Sequence, residues 1–229
     1  MTNNIARNPS ARPGWPEISI GLVGISIVGL GGGAALAQLG MDPVRLGLIF
    51  TALSGIGGLA GFFAAFLLRS RSWRYFGIRR TTWGWLGIGA ALGVVAFVAK
   101  GVAIFAYISF TGDRGTPQDI YLAGASGGIW TVVVATFLFS VVTPIGEEFL
   151  FRGVVTNALL KYGAVVGVVG GATIFAVFHG INVVFPAAFV AGLAAGEVFR
   201  RSGSIWPAVV VHSVVNLPTI PVMVLASAS

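Results

Sequence analysis

Val141-Val-Thr-Pro-Ile-Gly-Glu147-Glu148-Phe-Leu-Phe-Arg152 sets two adjacent carboxylates and a guanidinium inside a run that is otherwise apolar from Ile129 to about Lys161. Its reading decides the fold. A charged side chain near the centre of a bilayer costs about 2.5–3.5 kcal/mol on insertion scales, so such a cluster persists only where it faces a polar interior. On an α-helix Glu148 and Arg152 are four apart and can pair, whereas Glu147 points about 100° away and is left available.

The composition around this stretch is that of a membrane protein. Of 229 residues 56% are hydrophobic and 9% charged, with a mean hydropathy of +0.92, against roughly 25% charged residues in a soluble domain. The expected fold is an all-α, polytopic membrane helix bundle with an intramembrane polar cavity open to the cytosol. Residues 1–17 read as a mobile cytosolic arm. Residues 18–128 hold the first spans, near 18–39, 46–68 and 83–110, together with a basic interfacial loop at 69–80. Residues 129–229 hold the polar stretch and the spans expected at 129–161, 164–185, 186–199 and 205–225, about seven helices in all. The sixth is short, so a re-entrant segment there would change the count. A secretory signal peptide ending at Ala35-Leu-Ala37 is an alternative for the first run, which is long for one.

Details of these segments carry further expectations. The run Gly31-Gly-Gly33 loosens the first helix or admits a close neighbour. Lys100, alone in the third span, is expected to snorkel toward the far interface. The polar connection 111–128 should lie outside. In the 69–80 loop, arginines interleaved with Trp73, Tyr75 and Phe76 suit the headgroup layer, in contact with membrane lipids. The net charge of +7 falls in clusters between apolar runs, as the positive-inside rule requires, so no nucleic-acid partner is expected. The same rule predicts a multi-pass cell-membrane protein with a cytosolic amino terminus and an external carboxyl terminus. Cysteine is absent, which excludes disulfides and thiol catalysis and leaves carboxylate, imidazole, hydroxyl and amide chemistry.

Both histidines, His179 and His212, lie in expected spans, as do Asn182 and Asn216. Counted from the turn near Lys161 to Gly163, Glu147 and His179 lie about 21 and about 25 Å along antiparallel helices, at similar depth, and His212 can join them on a tilted helix. Phe175 precedes His179 by one turn and His212 precedes Asn216 by one turn.

Glu147-Glu148-x-x-x-Arg152, Phe175-x-x-x-His179 and His212-x-x-x-Asn216, in this order on separate apolar segments, closely resemble the signature of the type II CAAX prenyl endopeptidases, the CAAX protease and bacteriocin-processing (Abi) family of intramembrane proteases. The patterns span residues 147 to 216. The resemblance implies a membrane-embedded endopeptidase acting on a membrane-associated or lipidated protein, in some members removing the last three residues of prenylated CAAX proteins. It implies that Glu147 activates water together with His179, while His212 and Asn216 hydrogen-bond the oxyanion; Glu148, Arg152, Phe175 and Asn182 support them. Phe175 reads as cavity wall and Asn182 as a capping group on the turn after His179. A divalent metal such as Zn2+ stays open, with Glu147, His179 and His212 as candidate ligands, although no His-Glu-x-x-His pattern is present. Two other classes use the same residues: a proton- or ion-coupled transporter, and a catalytically silent immunity or scaffold protein.

Overall fold

A computed structural model describes residues 12–68, 72–115 and 119–227; the amino-terminal arm up to residue 11 and Arg69 and Arg71 of the basic loop lie outside them. Among the described residues the structure is all-helical. Five helices are long and apolar enough to cross a membrane: α1 (Trp15–Ala37), α2 (Pro43–Leu68), α3 (Trp83–Thr111), α5 (Ile129–Tyr162) and α8 (Ile205–Ser227). Between them lie the short α4 (Asp119–Ala125), α6 (Val166–Phe178) and α7 (Val184–Ser202). The outward face of α3, including Val94, Val95, Val98, Val102 and Phe105, is exposed, as expected of a helix whose solvent is lipid.

Glycines bring the backbones together. α2 is the hub: its Gly55 and Gly58 face Gly146 of α5, its Gly61 faces Gly21 of α1, and its Gly47 faces Gly124 of α4. A Cβ on Gly58 would come within 2.5 Å of the Gly146 carbonyl oxygen, so only hydrogen fits at this crossing. The Thr143 hydroxyl donates to the Thr51 carbonyl at 2.7 Å beside it. The helix carrying Glu147 and Glu148 is thereby fixed one residue before the first acid. On the other side, Gly89 and Gly93 of α3 admit the Pro207 backbone and Val211 and Val214 of α8. An apolar cluster of α3, α7 and α8, built from Ala96, Ala195, Val198, Ile205, Ala208 and Val211, completes that half.

α5 is not a uniform α-helix. It widens to π geometry at Leu138–Val142, returns to α at Thr143–Leu150 and widens again at Phe151–Thr156. The first widening accommodates Pro144, which has no N–H to give the Ser140 carbonyl and whose ring would crowd it. π segments inside α-helices are frequent at functional sites, and the acids stand between these two.

Two expectations change against this frame, for α6 and for Lys100, and two connecting segments gain contacts with the bundle. α6 ends at Phe178, about 20 Å long and too short to cross a core of about 30 Å, because Gly180 adopts φ +84° and the chain turns; His179 therefore caps a helix instead of lying within a span. The connection 111–128 is not simply a polar loop, since Gly124 seats α4 against Gly47 of α2. The described part of the basic loop is anchored in the bundle. Phe76 is fully buried against Phe62 and Phe66, and Arg79 donates to the Gly203 carbonyl at 2.6 Å and to that of Ser202 at 3.1 Å. Lys100 points into the bundle, because it shares the Gly89, Gly93 and Ala96 face of α3 that packs on α8. In α1 the glycine run does both things expected of it: Ile27–Gly32 is π-helical with open space around Gly31 and Gly32, while Gly33 admits Phe50 and Leu53 of α2.

Replacing Gly58 by Val should lower stability by at least about 1–3 kcal/mol, the cost of overpacking a close crossing. Gly87→Ala, at a helical glycine with nothing within 4 Å, should leave it unchanged or raise it by up to about 1 kcal/mol. Thermal unfolding of the two variants in detergent micelles compares them directly.

Candidate active site

Glu148 is fully buried, and Arg152 nearly so. The Glu148 Oε1 atom lies 3.0 Å from Arg152 Nη1 and 2.9 Å from His212 Nδ1. It thus ties two positions of α5 to one of α8. The contact with Arg152 is a charge contact not aligned as a hydrogen bond, and Glu148 Oε2 has no hydrogen-bond partner. Arg152 also donates from Nη2 to the Gly192 carbonyl of α7 at 3.4 Å and lies 4.6 Å from the ring centroid of Phe175 in α6, a cation–π contact strengthened by burial.

Glu147 is 3% exposed, which places it inside the bundle and away from lipid. Its Oε2 lies 3.8 Å from His212 Nε2, beyond hydrogen-bond length, and makes no hydrogen bond. A single water within hydrogen-bonding reach of both atoms spans such a gap. The two neighbouring acids are therefore unlike: Glu148 is held through Oε1 by a guanidinium and an imidazole, whereas Glu147 turns its free buried oxygen to an imidazole nitrogen without bonding it.

The two imidazoles also differ. His212 must donate from Nδ1 to the Glu148 carboxylate, so Nε2 is the atom turned to Glu147. His179 has Nδ1 at 2.9 Å from the Phe175 carbonyl. A carbonyl can only accept, so Nδ1 carries the proton and neutral His179 presents a lone pair on Nε2. The Phe175 ring sits between the histidines, with centroids 4.6 Å from His179 and 5.6 Å from His212. Asn182 donates to the His179 carbonyl at 3.0 Å and accepts from the Val184 N–H at 2.8 Å, fixing the turn that ends α6 and starts α7. Asn216 donates to the Phe139 carbonyl at 3.0 Å, which leaves its second amide hydrogen and its oxygen for other partners. The structure thus joins Glu147, Glu148, Arg152 and His212 directly, and reaches His179 through Phe175.

Among the described residues no three His, Asp or Glu side chains converge as a metal-holding group. Glu147 and His212 face each other at 3.8 Å, and His179 is linked to His212 through the Phe175 ring.

Three participants escape the motif pattern. The carbonyls of Gly192 and Phe139 hold Arg152 and Asn216, and backbone acceptors leave no sequence signal. Tyr121 of α4 packs on Phe139 with ring centroids 5.4 Å apart. Burial, and after it the negative charge of Glu147, pushes its phenol up to about 12, so it remains a protonated donor on that side of the site. Its signal is equally absent, since α4 was not expected to enter the bundle.

These features define a multi-pass membrane helix bundle with a buried acid–imidazole site shared among α5, α6 and α8. Residues 128–218 match the family described as type II CAAX prenyl endopeptidase Rce1-like; the matched segment bears every one of these motif residues, and the family is the one that the motifs resemble. No curated protein and no solved structure matches the chain.

Glu148→Gln should cost about 3–5 kcal/mol, because it leaves the Arg152 charge buried without its partner. Glu147→Gln, at an oxygen with no bond to lose, should cost less than about 1 kcal/mol. Denaturant unfolding in mixed micelles separates them; equal losses would show that both acids are structural.

Proposed function

We propose that this protein is an intramembrane endopeptidase that hydrolyses a peptide bond of a membrane-associated, lipid-anchored protein, the carboxyl-terminal tripeptide of a prenylated CAAX sequence being the substrate its family indicates. The observation that carries the reading is the buried, uncommitted carboxylate oxygen of Glu147 facing His212 Nε2 at 3.8 Å. The amino terminus and the cavity mouth are assigned to the cytosol and the carboxyl terminus to the outside, on the distribution of arginine and lysine.

Peptide hydrolysis asks for a base, an oxyanion donor and a proton for the leaving amine. Glu147, assisted by the lone pair of His179 Nε2, takes a proton from water as the water oxygen bonds to the scissile carbonyl carbon. The carbonyl π electrons move to its oxygen. The unengaged amide hydrogen of Asn216 stabilises that oxyanion, joined by His212 Nε2–H when His212 carries its second proton. Collapse breaks the C–N bond, and the proton held by Glu147 passes to the leaving nitrogen. Glu148 and Arg152 touch none of the reacting atoms; they orient His212. Glutamate activation of water without a metal is the route proposed; His179 and His212 are held through Nδ1 by the Phe175 carbonyl and Glu148, which leaves Nε2 of each for other partners.

Wild-type protein in proteoliposomes should release the carboxyl-terminal tripeptide from a farnesylated CAAX peptide. Glu147→Gln should lower kcat by about 10²- to 10⁴-fold, the usual worth of a positioned base, with the unfolding midpoint retained; unchanged cleavage would sink the assignment and favour a silent scaffold. Activity should survive exhaustive chelation, with no metal found in the purified protein. Loss of activity restored by added zinc would overturn the metal-free route.

A further inference from the structure

Lys100 stands near the middle of α3, outside the segment 128–218 that matches the family. Its ammonium donates to the Val215 carbonyl at 2.9 Å and to the Thr219 hydroxyl at 3.1 Å, and it lies 5.0 Å from the ring centroid of Phe97. No acidic residue is among these contacts. An intramembrane cation held only by a carbonyl, a hydroxyl and an aromatic face is costly to keep, and where it is spent is informative.

It is spent at the break in α8. The helix runs regularly to Asn216, turns at Leu217 and Pro218, and resumes at Thr219. Leu217 keeps helical backbone, with φ −50° and ψ −45°, but Pro218 has no N–H and cannot serve the Val214 carbonyl one turn back. Helix ends leave carbonyls without intrahelical partners. Lys100 takes the carbonyl of Val215 and, with the same ammonium, a side chain beyond the break. Asn216 lies between these two anchors, one turn after His212. Its amide is held at a single further point, the Phe139 carbonyl, so its direction depends on where the last turn of the helix stops.

We propose that Lys100 is a positioning residue for Asn216: it fixes the α8 break so that the Asn216 amide is aimed at the reacting carbonyl. This rests on reading Asn216 as an oxyanion donor. The close approach of α3 at Gly89 and Gly93 places Lys100 at this height without any adjustment of its helix.

The test is a double-mutant cycle on the farnesylated CAAX peptide in proteoliposomes, with backbone hydrogen exchange of residues 213–222 as a readout independent of cleavage. Lys100→Met should lower kcat by about 10- to 100-fold, the cost of misplacing a catalytic group by about 1 Å, with KM unchanged. Lys100→Arg, which keeps charged donors, should recover part of the loss. In an Asn216→Ala background Lys100→Met should cost less than about twofold further, since the group it aims is already gone. Exchange across residues 215–222 should quicken in Lys100→Met. Full kcat in Lys100→Met, or losses that multiply in the double variant, would overturn the positioning role. If Lys100→Met does not fold, Lys100→Gln, which keeps hydrogen-bonding donors and loses the charge, takes its place in the cycle with the same criteria. Absence of cleavage by the wild type would count against the protease reading alone; the exchange data then decide, unchanged rates overturning the clamp and faster rates supporting it.

Discussion

One carboxylate oxygen in this bundle serves two partners from two helices. Glu148 Oε1 meets Arg152 on its own helix and His212 on α8, in a place from which water is excluded. Charges so buried are tolerated only with their counter-charges in place, and losing either partner exposes the full desolvation penalty of the other. The contact therefore acts as a register lock. It sets the rotation of α8 about its axis, because His212 has to arrive at Glu148, and with His212 fixed Asn216 follows one turn later on the same face. Arg152 extends the lock to α6 and α7 through the Phe175 ring and the Gly192 carbonyl.

A lock of this kind needs a rigid wall behind it, and α2 supplies that wall. Gly55 and Gly58 let α5 come to backbone contact at Gly146, so the residue immediately before Glu147 cannot move without a clash. This explains how neighbours in sequence become opposites in chemistry. Glu148 is turned toward a guanidinium and an imidazole, which both take its Oε1; Glu147, rotated by about 100° on a helix that cannot rock, looks at His212 Nε2 from a distance that admits a water. Either acid alone would be a buried charge in search of compensation. Together, with Glu148 Oε1 taken by two partners, they leave the Glu147 oxygen as the one turned to an imidazole nitrogen it does not bond.

The sequence made the acid pair, both histidines and Asn216 legible because intramembrane polar groups are rare enough that each must be accounted for, and helical spacing says which can share a face. The pairing of Glu148 with Arg152 needed nothing more than four-residue spacing. What stayed hidden depends on backbone. Arg152 and Asn216 end on carbonyls, which every residue carries, and His179 closes α6 because of a positive φ at Gly180, which an expected continuous span of twenty-odd residues had no means to show. The π widenings of α5 likewise shift the helix phase on both sides of the acids. Depth arithmetic along ideal helices could bring Glu147 and the histidines to one level; it could not tell that His212 would be the closer to the carboxylates.

Lys100 shows a signal that was present and outweighed. A lone lysine in an apolar span can reach an interface with its long stem, and that is the ordinary outcome. Gly89, Gly93, Ala96 and Lys100, however, fall at i, i+4, i+7 and i+11, one stripe of a helix whose other members are small. Small residues mark the face on which a neighbouring backbone comes close, and a cation on that face meets protein before it meets water. The stripe decides the direction, and the direction brings the first half of the chain into the site: α3, which contributes no motif residue, meets α8 at the height where its helix breaks. A bundle whose reactive groups all lie between residues 147 and 216 thus depends for the aim of the last of them on a helix that ends thirty-odd residues before the first.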